Sequence, residues 1–331
     1  MITLLAVLAL QKDPDFGFPV ASFREVSDRM VGQLAIAKTS RTRGYLLSSD
    51  GKAVFDVDDD KVNVYHLDDG YISYAKFYVR KGDPKSALYN ELQRRVAQGE
   101  NGKDEDWEQT EIATLVRADS GGSLTVAYNR DGGNGCGVVT VNLESNAVAD
   151  NKSLFVGGDK QKLYAVFPDV GSNEAIMDTI IDENDRDQRS FYALLDGKKL
   201  RQTRPGWAPM LLDNKNNRFY SYLYSESGFP FGVNIEPVVG SPKDEKIGFP
   251  EGCMLYMFGM LPSGQLIGYF APRDEEGKEK LAGTYVYDQA GHKWNKANSF
   301  VLSGTSADGQ ALLFSDRVYR KSWVVVPKTA K

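Results

Sequence analysis

Residues 306–314 read SADGQALLF, a tight-turn sequence that runs directly into an apolar strand. Residues 48–57, SSDGKAVFDV, have the same order of turn and strand much earlier in the chain. Asp-Gly between two apolar runs favours a hairpin, because glycine adopts a positive φ without steric cost. Two such copies predict an internal repeat that would set the architecture of the chain.

Further units of this kind, each a polar turn followed by an apolar run, fill most of the chain. Their turns are marked by Asp50, Gly121, Asp159, Asn214, Gly264 and Asp308. The last three intervals are 55, 50 and 44 residues, which suits a four-stranded propeller blade. Further strands recur from Gly137, Gly232, Gly283 and Ser322. The spacing predicts an all-β chain, a β-propeller of about six or seven blades, and a β-sandwich is the alternative.

The turns also carry a family resemblance. SADG at residues 306–309, and SSDG at residues 48–51, are similar to the S-P-D-G turn of TolB-type β-propeller repeats. Ala307 and Ser49 stand where that family carries proline, and the remaining units are degenerate. The resemblance implies six or seven blades. It implies no single activity, because such propellers serve as binding platforms, sensors and enzyme accessory domains alike.

Two short helices are expected beside the strands. Ser22 to Glu25 form a capping box that opens a helix ending at Gly32. Asp83 caps a second helix, which ends at Gly99 and precedes a polar loop. The predicted organisation is therefore one propeller-like domain over residues 12–331, with a helical and polar-loop insertion at residues 83–110.

The length, the net charge and the apolar runs of the chain limit the kinds of partner and the location that can be expected. The chain has 331 residues, a net charge of −5 and no dense basic patch, so nucleic acid binding is not expected. The apolar run at residues 2–10 is too short for a membrane helix but has the length of a secretory core. We therefore expect residues 1–11 to be a signal segment and the protein to be exported to the periplasm or outside the cell; a cytoplasmic protein whose first strand is buried is the alternative.

Residues suited to nucleophilic or redox chemistry are scarce. The chain has two histidines, His66 and His292, which we interpret as surface or packing residues rather than members of a triad. Its two cysteines, Cys136 and Cys253, lack the spacing of a zinc or thioredoxin motif. Whether they form a disulfide is left open by the sequence.

The spacing of the acidic residues in the sequence does not match a known metal-binding motif. Asp56, Asp58 and Asp60 alternate as in a calcium loop, but Lys61 occupies the position where such loops need glycine. Alternation instead predicts that the three side chains share one solvent-facing side of a strand. We expect no metal and no cofactor.

Aromatic residues in proline-containing loops are the best candidates for ligand contact. Trp207 lies between two prolines in RPGWAP, and Phe229 and Phe231 flank Pro230. Such rigid rings can stack on a sugar or a peptide. The sequence thus predicts a non-enzymatic binding or interaction module with a protein or carbohydrate ligand. A carbohydrate-active hydrolase or lyase with paired carboxylates in a propeller channel is the alternative, and whether the chain is an enzyme stays open.

Overall fold

The protein is seen in a computed structural model that describes most of the chain. The described residues are 13–37, 45–58, 61–81, 89–94, 107–119, 122–129, 136–143, 147–154, 162–170, 175–182, 185–193, 199–202, 209–238, 245–273, 279–318 and 320–329. In these ranges the chain forms 26 strands and one α-helix, and the strands make six antiparallel sheets. The chain is therefore all-β with a single short helix.

The sheets follow one another along the chain, and we number them as blades 1 to 6. Before blade 1 lie β1 (Val20–Glu25) and α1 (Asp28–Ala37). Blade 1 contains β2 (Tyr45–Leu47), β3 (Ala53–Asp58), β4 (Lys61–His66), β5 (Tyr71–Arg80), β6 (Tyr89–Arg94) and β7 (Trp107–Gln109). Blade 2 contains β8 (Glu111–Ala118), β9 (Ser123–Asn129), β10 (Cys136–Asn142) and β11 (Ala147–Leu154).

The other four blades have four strands each. Blade 3 contains β12 (Lys162–Pro168), β13 (Ala175–Asp182), β14 (Asp185–Ala193) and β15 (Lys199–Gln202). Blade 4 contains β16 (Pro209–Asp213), β17 (Arg218–Tyr224), β18 (Pro230–Pro237) and β19 (Glu245–Gly248). Blade 5 contains β20 (Cys253–Met260), β21 (Leu266–Pro272), β22 (Gly283–Asp288) and β23 (Lys293–Asn298). Blade 6 contains β24 (Val301–Thr305), β25 (Leu312–Ser315) and β26 (Ser322–Pro327), with β1 as its fourth strand. Short 3-10 helices lie at Asn214–Asn216 and Glu279–Leu281.

The blades stand in a ring. The first strand of blade 1, β2, lies against the first strands of blades 2 and 6, and β12 lies against β8 and β16 in the same way. Strand β20 of blade 5 lies against β24 of blade 6 and against the third strand of blade 4, β18. Successive antiparallel meanders that pack against one another in chain order are the arrangement of a β-propeller. The predicted fold class is confirmed, with six blades in the described residues.

The ring is closed by the two ends of the described chain. Strand β1 pairs antiparallel with β26, with Phe23 opposite Val325 and Arg24 opposite Val324. Blade 6 therefore combines one strand from the N-terminal side with three from the C-terminal side. This pairing ties the two sides of the described chain together within one sheet.

The blades are held together by apolar faces that pack on both sides. All four residues of β25, Leu312 to Ser315, are buried, as expected for a strand between two neighbouring blades. Blades 1 and 2 share one apolar cluster, in which Phe55 and Phe77 meet Leu124 and Tyr128. Helix α1 packs Met30 and Leu34 onto residues of blades 1 and 6. Burial of apolar surface at about 25 cal/mol per Å² is the main term that stabilises such interfaces.

Both expected helices were placed wrongly. The capping-box residues Ser22 to Glu25 belong to β1, and the helix begins later, at Asp28. In the segment expected to hold the second helix, Tyr89–Arg94 forms strand β6, which pairs with β5. Local capping and i,i+4 patterns favoured helices, but pairing with distant strands decides the backbone in both places. The rest of the expected segment, residues 82–88 and 95–106, lies outside the described residues.

Two further expectations can be checked in the strands. Asp56 does not face solvent, since it is buried at 5% exposure in β3. Cys136 and Cys253 are both free and buried, in blades 2 and 5, so they form no disulfide with each other. Burial raises the pKa of the Cys136 thiol to about 11. Residues 1–12, expected to include the signal segment, lie outside the described residues.

Candidate functional site

The first of the two repeated turns joins β2 to β3. Ser48 Oγ donates to Asp50 Oδ1 at 2.7 Å and accepts from the backbone N–H of Ala53 at 3.1 Å. The same carboxylate oxygen accepts from the N–H of Lys52 at 3.1 Å, and Gly51 has φ +70°. Serine and aspartate thus close the turn from inside, and glycine supplies the positive φ that it needs.

The second copy, between β24 and β25, repeats this arrangement. Ser306 Oγ donates to Asp308 Oδ1 at 2.7 Å and accepts from the N–H of Ala311 at 2.9 Å. Asp308 Oδ1 accepts from the N–H of Gln310 at 3.1 Å, and Gly309 has φ +69°. The similarity seen in the sequence is therefore a shared hydrogen-bond pattern, used once in blade 1 and once in blade 6.

These turns also connect neighbouring blades. Ser49 Oγ donates to Asp308 Oδ2 at 2.7 Å, which joins blade 1 to blade 6. The N–H of Ser49 donates to the carbonyl of Ala118 at 2.9 Å, which joins blade 1 to blade 2. The N–H of Val170 donates to the carbonyl of Leu212 at 3.0 Å between blades 3 and 4. At this end of the propeller, which we call the turn face, hydrogen bonds thus join blade 6 to blade 1, blade 1 to blade 2 and blade 3 to blade 4.

A second turn of blade 1, between β4 and β5, lies on the same face. Arg24 of β1 pairs with Asp68 in this turn and donates to the carbonyl of Gly51 at 2.7 Å. The N–H of Leu67 donates to the carbonyl of Lys52 at 2.9 Å. Arg24 of β1 therefore contacts both turns of blade 1 and holds them next to each other.

Between these turns and blade 2 lies a cleft of about 510 Å³. Phe55, Val64 and Leu143 are buried and form an apolar floor, and the rim is polar, with four aspartates and one lysine as its charged groups. The lining residues are Ser48, Asp50, Lys52, Ala53, Phe55, Val64, His66, Asp68, Asp69, Tyr71, Ser73, Asp119, Gly122 and Leu143. This volume lies in the range of small-ligand sites, which combine an apolar surface with a few polar groups.

One wall of the cleft is a stacked pair of rings. His66 and Tyr71 lie face to face with centroids 3.9 Å apart and an interplanar angle of 13°. His66 Nε2 and the buried Ser73 Oγ share a hydrogen bond of 3.0 Å. The stack and this hydrogen bond fix both rings, so they offer a rigid surface to a ligand.

The carboxylates of the rim differ in how they are held. Asp50 belongs to its own turn, Asp68 pairs with Arg24, and Asp119 Oδ1 accepts from Arg117 Nε at 2.5 Å. Asp69 is exposed and has no hydrogen-bond or ion-pair partner among the described residues. Within those same ranges, no group of three or more His, Cys, Asp or Glu side chains is arranged to hold a metal ion.

The cleft could not be recognised in the sequence. It combines two turns of blade 1 with a turn of blade 2, and no motif marks residues so far apart in the chain. His66 was interpreted as a surface or packing residue, and its place in the cleft wall follows only from the fold. The one signal available was the serine and aspartate turn at residues 48–51, which supplies one edge.

The predicted ligand-contact residues lie elsewhere. Phe229 and Phe231, at the β17–β18 hairpin, are 53% and 44% exposed. The guanidinium carbon of Arg273 lies 5.8 Å from the ring centroid of Phe229, and Arg273 Nη2 donates to the carbonyl of Pro230 at 3.2 Å. This hairpin is at the opposite end of the blade strands from the turn face. Trp207 lies outside the described residues.

Comparisons with known proteins give likeness of shape only. No protein-family profile and no curated protein sequence matches the chain. Among solved structures, a protein assigned as TolB from Agrobacterium tumefaciens has 12% identity over 86% of this chain and 90% of its own, with a TM-score of 0.47. The WD40 domain of Pan2 from Neurospora crassa has 8% identity, coverages of 89% and 92%, and a TM-score of 0.41. An oligogalacturonate lyase in complex with manganese has 12% identity, coverages of 86% and 76%, and a TM-score of 0.40.

The described part of the chain has no helix with the length and apolar character needed to cross a bilayer.

Proposed function

We propose that the protein is a non-enzymatic binding module that receives its ligand in the cleft between blades 1 and 2. The observation that carries the proposal is the composition of this cleft, an apolar floor under a polar rim with two fixed rings in the wall. Hydrogen bonds and ion pairs hold the rim before any ligand arrives. A pre-organised site of this kind loses little conformational entropy on binding.

The state of the carboxylates favours binding over catalysis. Glycoside cleavage by paired carboxylates needs two such groups free to face the scissile bond from its two sides. In this cleft, Asp50 holds its own turn, and Asp68 and Asp119 pair with arginines of the chain. Three of the four rim carboxylates thus serve the geometry of the rim, which supports recognition rather than bond cleavage. We also propose that the protein is exported, which would place its ligand outside the cytoplasm.

Phe229 and Phe231 are proposed as a separate contact surface. Their exposure, and the cation over the Phe229 ring, support a role in stacking on a partner. They lie away from the cleft, so the two surfaces can be tested independently.

The binding function is tested by blocking the cleft. Lys52 has a side chain that is 70% exposed at the cleft rim, so Lys52→Trp places a bulky ring in the opening without disturbing the core. Lys215, exposed in the corresponding turn of blade 4, gives the matched control Lys215→Trp. The proteins are applied to printed arrays of short peptides and of oligosaccharides.

We expect the wild type and Lys215→Trp to retain the same array ligands, and Lys52→Trp to lose them. If all three proteins retained the same array ligands, the cleft would not be the binding site. Cleavage of an oligosaccharide by the wild type, with release of new chain ends in solution, would contradict a non-enzymatic function.

A further inference from the structure

The lining of the cleft carries an excess of negative charge. Its charged residues are Asp50, Asp68, Asp69, Asp119 and a single cation, Lys52. The ammonium group of Lys52 lies 4.0 Å from Asp50 Oδ2, and its side chain is mostly in solvent. With Arg24 and Arg117, which pair with Asp68 and Asp119, counted beside Lys52, four carboxylates face three cations and the net charge is −1. A net negative charge in a concave site favours cations over anions.

Two of these carboxylates already bind guanidinium groups of the chain itself. Arg24 pairs with Asp68, and Arg117 Nε donates to Asp119 Oδ1 at 2.5 Å. Asp69 follows Asp68 in the same fixed turn, and no residue in the described ranges pairs with it. The rim therefore keeps one carboxylate that is held in position by the turn and open to a cation from outside.

The rest of the cleft suits the body of a long cationic side chain. Phe55 and Leu143 are buried at its floor, beside the stacked rings of His66 and Tyr71. An arginine side chain combines an apolar stem with a planar charged head that stacks on aromatic rings and binds carboxylates. A lysine shares the stem but lacks the planar head, and a neutral sugar leaves Asp69 without a counter-charge.

We infer that the cleft recognises a cationic side chain of a partner peptide and prefers arginine over lysine. The stem lies on the floor, the guanidinium faces the His66–Tyr71 wall, and Asp69 is its main acceptor. This inference rests on the proposed binding function and adds the chemical class of the ligand.

The test uses four capped glycine pentapeptides whose central residue is arginine, citrulline, lysine or glutamate. Their affinities for the full chain are measured by calorimetric titration at low and at high salt. Citrulline keeps the shape of arginine but carries no charge. Asp69→Asn removes the proposed acceptor, and Asp288→Asn, in the corresponding turn of blade 5 outside the cleft, is the matched control.

We expect arginine to bind best, citrulline about tenfold more weakly and glutamate not at all, with affinity falling as salt rises. Asp69→Asn is expected to weaken the arginine peptide about fivefold, and Asp288→Asn by less than about twofold, because it lies outside the cleft. Because Asp69 is exposed, the thermal midpoint of Asp69→Asn should match that of the wild type, so the loss cannot be ascribed to unfolding.

Equal binding of arginine and citrulline, or equal effects of the two aspartate variants, would overturn the inference. These failures differ from failure of the binding function itself. If the arrays yield a neutral or anionic ligand that Lys52→Trp loses, the cleft is a binding site and only the cationic class is wrong. If no array ligand depends on Lys52→Trp, the site itself is wrong.

Discussion

The hydrogen bond between Ser49 and Asp308 makes a quantitative prediction about how blades 1 and 6 are held together. Asp308 accepts three hydrogen bonds, two within its own turn and one from Ser49 across the interface. Asp50, in the matching position of blade 1, accepts two within its turn and has only a distant, exposed lysine besides. At about 1 kcal/mol for each partly exposed hydrogen bond, Asp308→Ala should cost about 3 kcal/mol and Asp50→Ala about 2 kcal/mol.

A double-mutant cycle isolates the bond between the blades. Ser49→Ala, Asp308→Ala and the double variant are unfolded in urea at 25 °C, followed by tryptophan fluorescence, and the free energies of unfolding are compared. We expect a coupling of about 1 to 1.5 kcal/mol between the two positions, since the bond has a charged acceptor. Strict additivity, or an Asp50→Ala variant as unstable as Asp308→Ala, would refute a role for Asp308 in joining the blades.

Two further predictions concern a glycine and a thiol. Gly309→Ala should cost about 3 kcal/mol in a urea titration, because φ is +69° and a Cβ would lie 2.0 Å from the carbonyl oxygen of Met260. Gly264→Ala, with φ +83° and open space around the Cβ, should cost only about 1 kcal/mol. A similar cost for both would show that the contact with blade 5 is not tight. The pKa of Cys136 is raised by burial from 9.0 to about 11. The stability that its neutral thiol provides is therefore complete below pH 9 and lost as the pH rises through 11, so the wild type should lose about 2 kcal/mol more than Cys136→Ala between pH 8.5 and 11. Parallel pH profiles for the two proteins would contradict this.

The fold could be predicted because the repeated turns carry their own local chemistry. Serine and aspartate at fixed positions, followed by glycine, close the same turn wherever they occur, as the pairs Ser48–Asp50 and Ser306–Asp308 do. The strands expected from Gly137, Gly232, Gly283 and Ser322 are the third strands of blades 2, 4, 5 and 6. Turn chemistry and strand alternation act over a few residues, so the sequence displays them directly.

The same reasoning failed where distant pairing decides the structure. The expected turn marker Asp159 lies outside the described residues, so that part of the repeat stays a prediction. Residues 22–25 carry a helix-start pattern but are held as a strand by β26. Pairing of this kind depends on residues hundreds of positions away, which local propensity does not contain.

The candidate site could not be predicted from the sequence, for the same reason. The rim depends on an arginine of β1 meeting an aspartate of blade 1, and on blade 2 lying beside both. Asp69 has no motif around it, and it becomes notable only because the other rim carboxylates have partners and it has none among the described residues. The aromatic residues that the sequence favoured, Phe229 and Phe231, are exposed but lie away from the cleft.

Hydrogen–deuterium exchange with the arginine pentapeptide tests the central claim, that the cleft between blades 1 and 2 is the ligand site. Exchange is measured with and without the peptide across the whole chain. The account predicts slower exchange in residues 48–55 and 66–73, which form the rim and wall, and no change in residues 225–231. Protection confined to residues 225–231, around Phe229, with the cleft segments unchanged, would contradict it.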